Sequence, residues 1–287
     1  MPNQLKHQLH LTDCVNGVKN LPDGSLDLVL TGPPYFDHIK YSDDEANLST
    51  KDYHKFLKEI SNLWKNLEPK IKDGGIVALW LHDVYIKISD IFELKPFHAD
   101  IIKTFPPNLT SRQIIIWDRY LKKVYPDLPK DLQFGTRFQY ILIFSKGKTL
   151  YEEKLKKLCW NPIWNFKTVP KFLNSKILYY PIFYLGKIPF IYRLVNPFSL
   201  RAKRILIKDK YRFNEYLTTC PEEVAEMIIK NFSRRGDTIC DPFLGSGTTM
   251  KVANDLNRNC TGFEINREAR RVILEKVETS NIEIFEQ

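Results

Sequence analysis

Short apolar runs alternating with helix-like stretches constrain this chain more than any other feature. Up to Gly147 the β-rich runs are HQLHLTD, SLDLVLT, GIVALWLHD, RQIIIWD and FQYILIFSKG, and DTICD and CTGFE follow near the C-terminus. This alternation suits a mostly parallel α/β sheet, because parallel neighbours need a crossover and a helix is the usual one. KDYHKFLKEISNLWKNLEPKI supplies the helical half of the pattern. Its Tyr53, Phe56, Leu57, Ile60, Leu63, Trp64 and Leu67 recur at spacings of three and four, which predicts an amphipathic helix with one buried face. Asp73-Gly74-Gly75 is expected to end that helix and turn the chain into the next strand. RQIIIWD and FQYILIFSKG flank a polar loop with Pro126 and Pro129, and are expected to form an antiparallel edge pair.

From Tyr151 the rhythm lapses, with prolines at 162, 170, 181, 189 and 197 in no clear period. Charge marks the same segment. Residues 151–212 hold 14 Lys and Arg against 3 Asp and Glu, whereas the whole chain carries +9, so everything outside the segment is close to neutral. Thirteen of the 37 aromatic residues lie there too. Basic side chains interleaved with aromatics suit a polyanion whose bases can be stacked, and nucleic acid is the obvious one; a solvated basic surface is the alternative. The expected organisation is a sheet domain of residues 1–150 and 213–287 interrupted by an insert, 151–212. No apolar stretch is long enough to span a bilayer, and MPNQLKHQLH lacks the apolar core of a signal peptide, so a cytoplasmic location without a membrane is expected. The 5 cysteines are scattered with no CxxC pair, which argues for reduced thiols and against zinc.

DPFLGSGTT, Asp241 to Thr249, lies where a strand gives way to a helix. Small residues at Gly245, Ser246 and Gly247 are expected to let a ligand approach the backbone, beside the free N–H groups of a helix start. Nineteen residues after Gly245 comes Glu264, at the end of the next run, where a carboxylate can accept the ribose hydroxyls of a nucleoside. No Lys follows the glycines and the spacing is not GxGxxG, so the loop is no phosphate binder. An Asp-Pro entry adds negative charge and removes a donor, which suits a cationic ligand. S-adenosylmethionine, with a sulfonium, an ammonium and a ribose, meets that demand.

TGPPY, then DPFLGSGTT some 210 residues later, then GFE, together resemble the amino-methyltransferases of DNA, which methylate cytosine N4 or adenine N6. With PPY first and the glycine loop last, the order is similar to the circularly permuted β group of that family. The resemblance covers roughly residues 7 to 150 and 215 to 280. It implies a Rossmann-like methyltransferase sheet with an inserted target-recognition domain, S-adenosylmethionine as cofactor, double-stranded DNA as partner, and a companion restriction endonuclease. Residue by residue, Asp241, Pro242, Phe243, Gly245, Ser246, Gly247 and Thr248 match the cofactor loop and Glu264 the ribose acid. Asp13 matches the acid near the adenine amino group, with a helix N-cap as its other reading. Thr218 and Thr219, before Pro221, are candidate contacts to the methionine carboxylate, with a plain helix cap as the alternative. In the insert, Lys167, Lys171, Lys176, Arg193, Arg201, Lys203 and Arg204 are candidate phosphate contacts.

The PPY motif is where the resemblance places the chemistry. An exocyclic amine is a poor nucleophile because its lone pair is delocalised into the ring, so the base must be flipped out, stacked and hydrogen-bonded at its amine. Tyr35 is the expected stacking ring and the Pro33 carbonyl the expected acceptor, with Pro34 stiffening the loop. The family carries Ser, Asp or Asn before PPY; this chain has Gly32. Three explanations stay open: a catalytically silent DNA-binding form, a compensating acceptor such as Asp37, or a slower enzyme relying on backbone carbonyls. TxPPYF with Tyr41 following favours cytosine N4 as the target. Adenine N6, or an RNA substrate, is the alternative.

Overall fold

The computed structural model describes residues 5–34, 46–88, 91–118, 138–160, 163–165, 220–277 and 281–286. Their centre is a nine-stranded sheet in the order β11-β1-β10-β9-β2-β3-β7-β6-β8. The strands are β1 (His7–Leu11), β2 (Leu26–Thr31), β3 (Ile71–Leu81), β6 (Leu109–Asp118), β7 (Phe138–Lys146), β8 (Ile163–Asn165), β9 (Thr238–Asp241), β10 (Asn259–Phe263) and β11 (Ile282–Glu286). A separate hairpin joins β4 (Val84–Ile88) to β5 (Ile91–Lys95). From β11 to β3 every pairing is parallel; β7 runs antiparallel to β3 and β6, and β8 parallel to β6. This is the mostly parallel α/β sheet expected.

Three features differ from expectation. The antiparallel pair β6–β7 forms, but β8 pairs outside it, so the pair is not the edge. β8 and the helix before it, Glu152–Trp160, lie within 151–212, and Arg112 of β6 bonds Glu152 of that helix. The sheet therefore extends past residue 150: the change in charge and rhythm starts earlier than the change in architecture. Asp73-Gly74-Gly75 does not end the amphipathic helix. A 3-10 turn at Glu68–Lys70 containing Pro69 does so, because proline cannot continue the ladder. The glycines lie inside β3, with Gly74 at φ +78, where the β2–β3 register shifts between Leu26 and Leu28.

Helices α1 (Cys14–Gly17), α2 (Tyr53–Leu67), α3 (Phe97–Lys103), α4 (Glu152–Trp160), α5 (Glu222–Phe232), α6 (Thr248–Asp255) and α7 (Ala269–Val277) complete the described residues. The Asp52 side chain caps α2 by accepting the Lys55 N–H. Phe56, Ile60, Leu63, Trp64 and Leu67 are then fully buried against Val29, Val77 and Leu79. Each such side chain contributes roughly 2 kcal/mol. Alternation along β2 and β3 turns Leu28, Leu30, Ala78 and Trp80 to the opposite face, and α5 packs on β2. Among the described residues no helix is long and apolar enough to cross a membrane.

Candidate functional site

Five neighbouring parallel strands, β1, β10, β9, β2 and β3, end on one edge of the sheet. There the chain sets Asp13 after β1, Glu264 after β10, Asp241 closing β9, Gly32–Pro34 after β2 and His82–Asp83 after β3. Ligands of open α/β sheets bind in the crevice beyond such carboxyl ends.

Asp241 joins the two halves of this edge. Thr31 Oγ1 donates to its Oδ1 at 2.6 Å, and the Phe243 N–H donates to the same oxygen at 3.0 Å. The first bond ties the end of β2 to the end of β9 and sets the Gly32–Pro34 turn beside the glycine loop. Burial pushes the Asp241 carboxyl up to about 6, against hydrogen bonds from Thr249, Thr31 and Phe243 that favour its charged form. Glu264 is buried as well. Its Oε2 accepts the Gly245 N–H and its Oε1 the Asn266 N–H, both at 2.8 Å. Burial raises it to about 7, with the charge of Asp241 adding to the effect. Asp241 Oδ1 already accepts two hydrogen bonds and so has no lone-pair direction left for a ligand. Two buried acids whose protons are held more tightly by burial are a site that a cation would bring to full charge.

Within the glycine loop the small residues do different things. Gly245 is in the left-handed region at φ +56, and a side chain there would meet only the Phe243 carbonyl at 3.9 Å, so its backbone is open to a ligand. Gly247, at φ +82, is small because α7 lies behind it, with Ile273 Cγ2 at 3.2 Å from where a Cβ would stand. Ser246 is buried, and its Oγ accepts from Lys276 Nζ at 2.9 Å; the same ammonium donates to Thr248 Oγ1 at 2.6 Å. The side-chain directions at Ser246 and Gly247 are thus taken up by α7, and that at Gly245 is open. Pro242 is buried and Phe243 packs on the core.

Asp13 is the N-cap of α1. Its oxygens accept from Val15 N at 3.0 Å, Asn16 N at 3.1 Å and Asn16 Nδ2 at 3.0 Å. The cap that sequence left as the alternative is formed. Pro33 is buried, with Gly32 and Pro34 half-buried. Tyr35, Asp37, Tyr41, Thr218, Thr219 and the seven basic candidates, Lys167, Lys171, Lys176, Arg193, Arg201, Lys203 and Arg204, lie outside the described residues.

Sequence reasoning missed Thr31, Trp80, Lys276 and Asp83. Trp80 reads as one more apolar residue of a strand, yet a Cβ built on Gly32 would stand 2.4 Å from its Cε2. Lys276 carries no local signal, lying 28 residues beyond Thr248. It is drawn down to about 8 by burial, with Glu222 opposing. Asp83 accepts from the His98 backbone N–H at 3.1 Å and lies 2.6 Å from His98 Nδ1, with that ring stacked on Tyr140 at 4.1 Å between centroids. The repeated order of an acid after an apolar run, in HLTD, WLHD and TICD, was the available signal for Asp83.

The model of the N6/N4 methyltransferase family, described as DNA methylase, matches residues 26–275. A Type II methyltransferase, M.MjaI of Methanocaldococcus jannaschii, is 26% identical, over 90% of this chain and 86% of its own. Among solved structures, a putative DNA modification methylase of Thermus thermophilus complexed with S-adenosyl-L-methionine aligns with a TM-score of 0.61 at 22% identity, covering 97% of this chain and 99% of that one. The PvuII DNA methyltransferase, described as cytosine-N4-specific, aligns with a TM-score of 0.67 at 14% identity, covering 98% of this chain and 92% of that one. At these identities the structures establish the fold, and the family model establishes the kinship.

Proposed function

Because the chain belongs to the N6/N4 family of DNA methylases, we propose that it methylates the exocyclic N4 of cytosine in a specific duplex DNA sequence, as the modification enzyme of a restriction system. S-adenosylmethionine is the cofactor of the family, and the residues present suit it. Gly245 leaves backbone open to approach, and the raised acids Asp241 and Glu264 favour a cationic nucleoside. Glu264 would take the ribose and Gly245 the methionine part, with Asp13 beside the adenine. The cofactor supplies an electrophilic methyl group on a sulfonium.

The observation that carries the reading is the Thr31–Asp241 bond, which sets the proline turn next to the glycine loop. On that turn the buried Pro33 offers its carbonyl to the amine of a flipped base, and two prolines reduce the entropy of holding it there. Tyr35 would stack on the base. The basic candidates of the insert would hold phosphates, and a partner nuclease would share the sequence. Cytosine is preferred over adenine on the form of TGPPYF.

The test is labelled methyl transfer to duplex DNA followed by digestion to nucleosides. N4-methylcytosine is expected. N6-methyladenine would replace the base assignment and leave the enzyme standing, whereas no label in DNA would remove the activity.

A further inference from the structure

Gly32 extends β2 one residue beyond Thr31, and the register Thr31 with Leu79 brings it alongside Trp80 of β3, on the same face of the sheet. The indole lies across the glycine: a Cβ at position 32 would stand 2.4 Å from Cε2, 2.6 Å from Cζ2 and 2.7 Å from Nε1. The ring thus fills the place in which any side chain at 32 would begin. Trp80 is 9% exposed, and among the described residues no acceptor takes its Nε1–H.

We propose that Trp80 is a specificity-determining residue of the base site, whose indole Nε1–H donates to the ring nitrogen beside the exocyclic amine, N3 of cytosine, of the base held at the Gly32–Pro34 turn. The inference rests on the methyltransferase reading above. An indole N–H donates and cannot accept, so it addresses an acceptor on the base and not the amine hydrogens. Cytosine presents N3 next to its amine, and adenine presents N1 in the same relation. Thymine and guanine present an N–H there and would set two donors face to face, which leaves both unpaired. The position thereby admits cytosine and adenine and rejects thymine and guanine. Donation to the ring nitrogen also draws the amine lone pair further into the ring, so the bond holds the base without helping transfer. That leaves the amine to the backbone carbonyl of Pro33, and its signature belongs in KM and not in kcat.

The experiment compares the full chain with W80F on two duplexes carrying the chain's own site, mapped by methylation-sensitive sequencing of DNA from expressing cells. One holds the natural target and the other 3-deazacytosine in its place, or 1-deazaadenine if the methylated base is adenine. On the natural duplex W80F is expected to raise KM about tenfold without lowering kcat, the size of one neutral hydrogen bond. On the deaza duplex the two proteins should have equal KM. An equal loss on both duplexes would mark a packing role and overturn the proposal, as would no loss on the natural one. The wild type alone gives a second reading if W80F does not fold: equal KM for the natural and deaza duplexes overturns the proposal. Absence of transfer to any DNA would remove the methyltransferase reading together with this inference. A transferring enzyme indifferent to Trp80 removes the inference only.

Discussion

The two halves of the strand-end edge are built in opposite ways. On the side proposed for the cofactor, at the ends of β9 and β10, the buried acids are engaged by the protein itself: Asp241 by Thr31 and Phe243, Glu264 by Gly245 and Asn266. On the side proposed for the base, at the ends of β2 and β3, Gly32 has no side chain and a tryptophan from the neighbouring strand stands in its place. The first half is shaped by hydrogen bonds that order a loop before any ligand arrives, the second by one close contact between strands. Damage should therefore separate: changes at β9 and β10 should strike cofactor binding, and changes at β2 and β3 should strike the base.

The largest effect is expected from Asp241→Ala. It leaves the Thr31 hydroxyl and the Phe243 N–H buried without their acceptor, at roughly 1–3 kcal/mol each. Calorimetry should show cofactor affinity reduced 10²- to 10³-fold. Full-strength cofactor binding by this variant would break the division between the halves. Gly32→Ala is its counterpart. A methyl group 2.4 Å from Cε2 of Trp80 forces the indole or the turn to move, an overpacking cost of about 1–3 kcal/mol. Methyl transfer should fall ten- to a hundredfold with cofactor affinity unchanged, as read by steady-state kinetics and calorimetry on one preparation.

Proton linkage sharpens the contrast on the cofactor side. Asp241 at about 6 and Glu264 at about 7 hold protons in the free folded protein at pH values where the unfolded chain has lost them. Stability of the free protein from these groups therefore declines as pH rises from about 4 and levels off above about 7. Binding of a cation beside them runs the other way, since it favours the charged carboxylates and releases protons. Cofactor affinity should weaken as pH falls below about 7, by up to about tenfold per pH unit where one proton is taken up. Titration calorimetry in buffers of different ionisation enthalpy would count the protons. A flat profile between pH 5.5 and 7.5 would remove the two acids from the cofactor site.

How much of this was legible in the sequence follows the same division. The strands around HQLHLTD, SLDLVLT, DTICD and CTGFE could be read because each is a short apolar run with a turn signal after it, and Asp241 and Glu264 because each closes such a run. Those are relations among near neighbours. Trp80 reaches Gly32 across 48 positions and Lys276 reaches Thr248 across 28, and no local pattern encodes a contact between strands or a helix folding back on a loop. The hairpin β4–β5 and the strands β8 and β11 escaped, and Gly74-Gly75 looked like a turn because a bulge within a strand uses the same residues as a turn between elements.

Lys276 should give the smallest effect of the four, although its contacts look strong. Its ammonium joins Ser246 and Thr248 at 2.9 and 2.6 Å, yet it sits at about 8 because burial disfavours its charge. The burial cost therefore offsets part of what the two bonds contribute. Removing it also strands little, because Ser246 Oγ and Thr248 Oγ1 are already 3.5 Å apart and can close on one another. Lys276→Met, which keeps the apolar stem, should thus weaken cofactor binding only two- to fivefold by calorimetry at pH 7. At pH 9 the wild-type amine is itself mostly neutral, and the difference between the two proteins should shrink. A loss approaching that of Asp241→Ala would mean that the glycine loop is held from α7 behind it, and that the bonds along the strand ends are secondary.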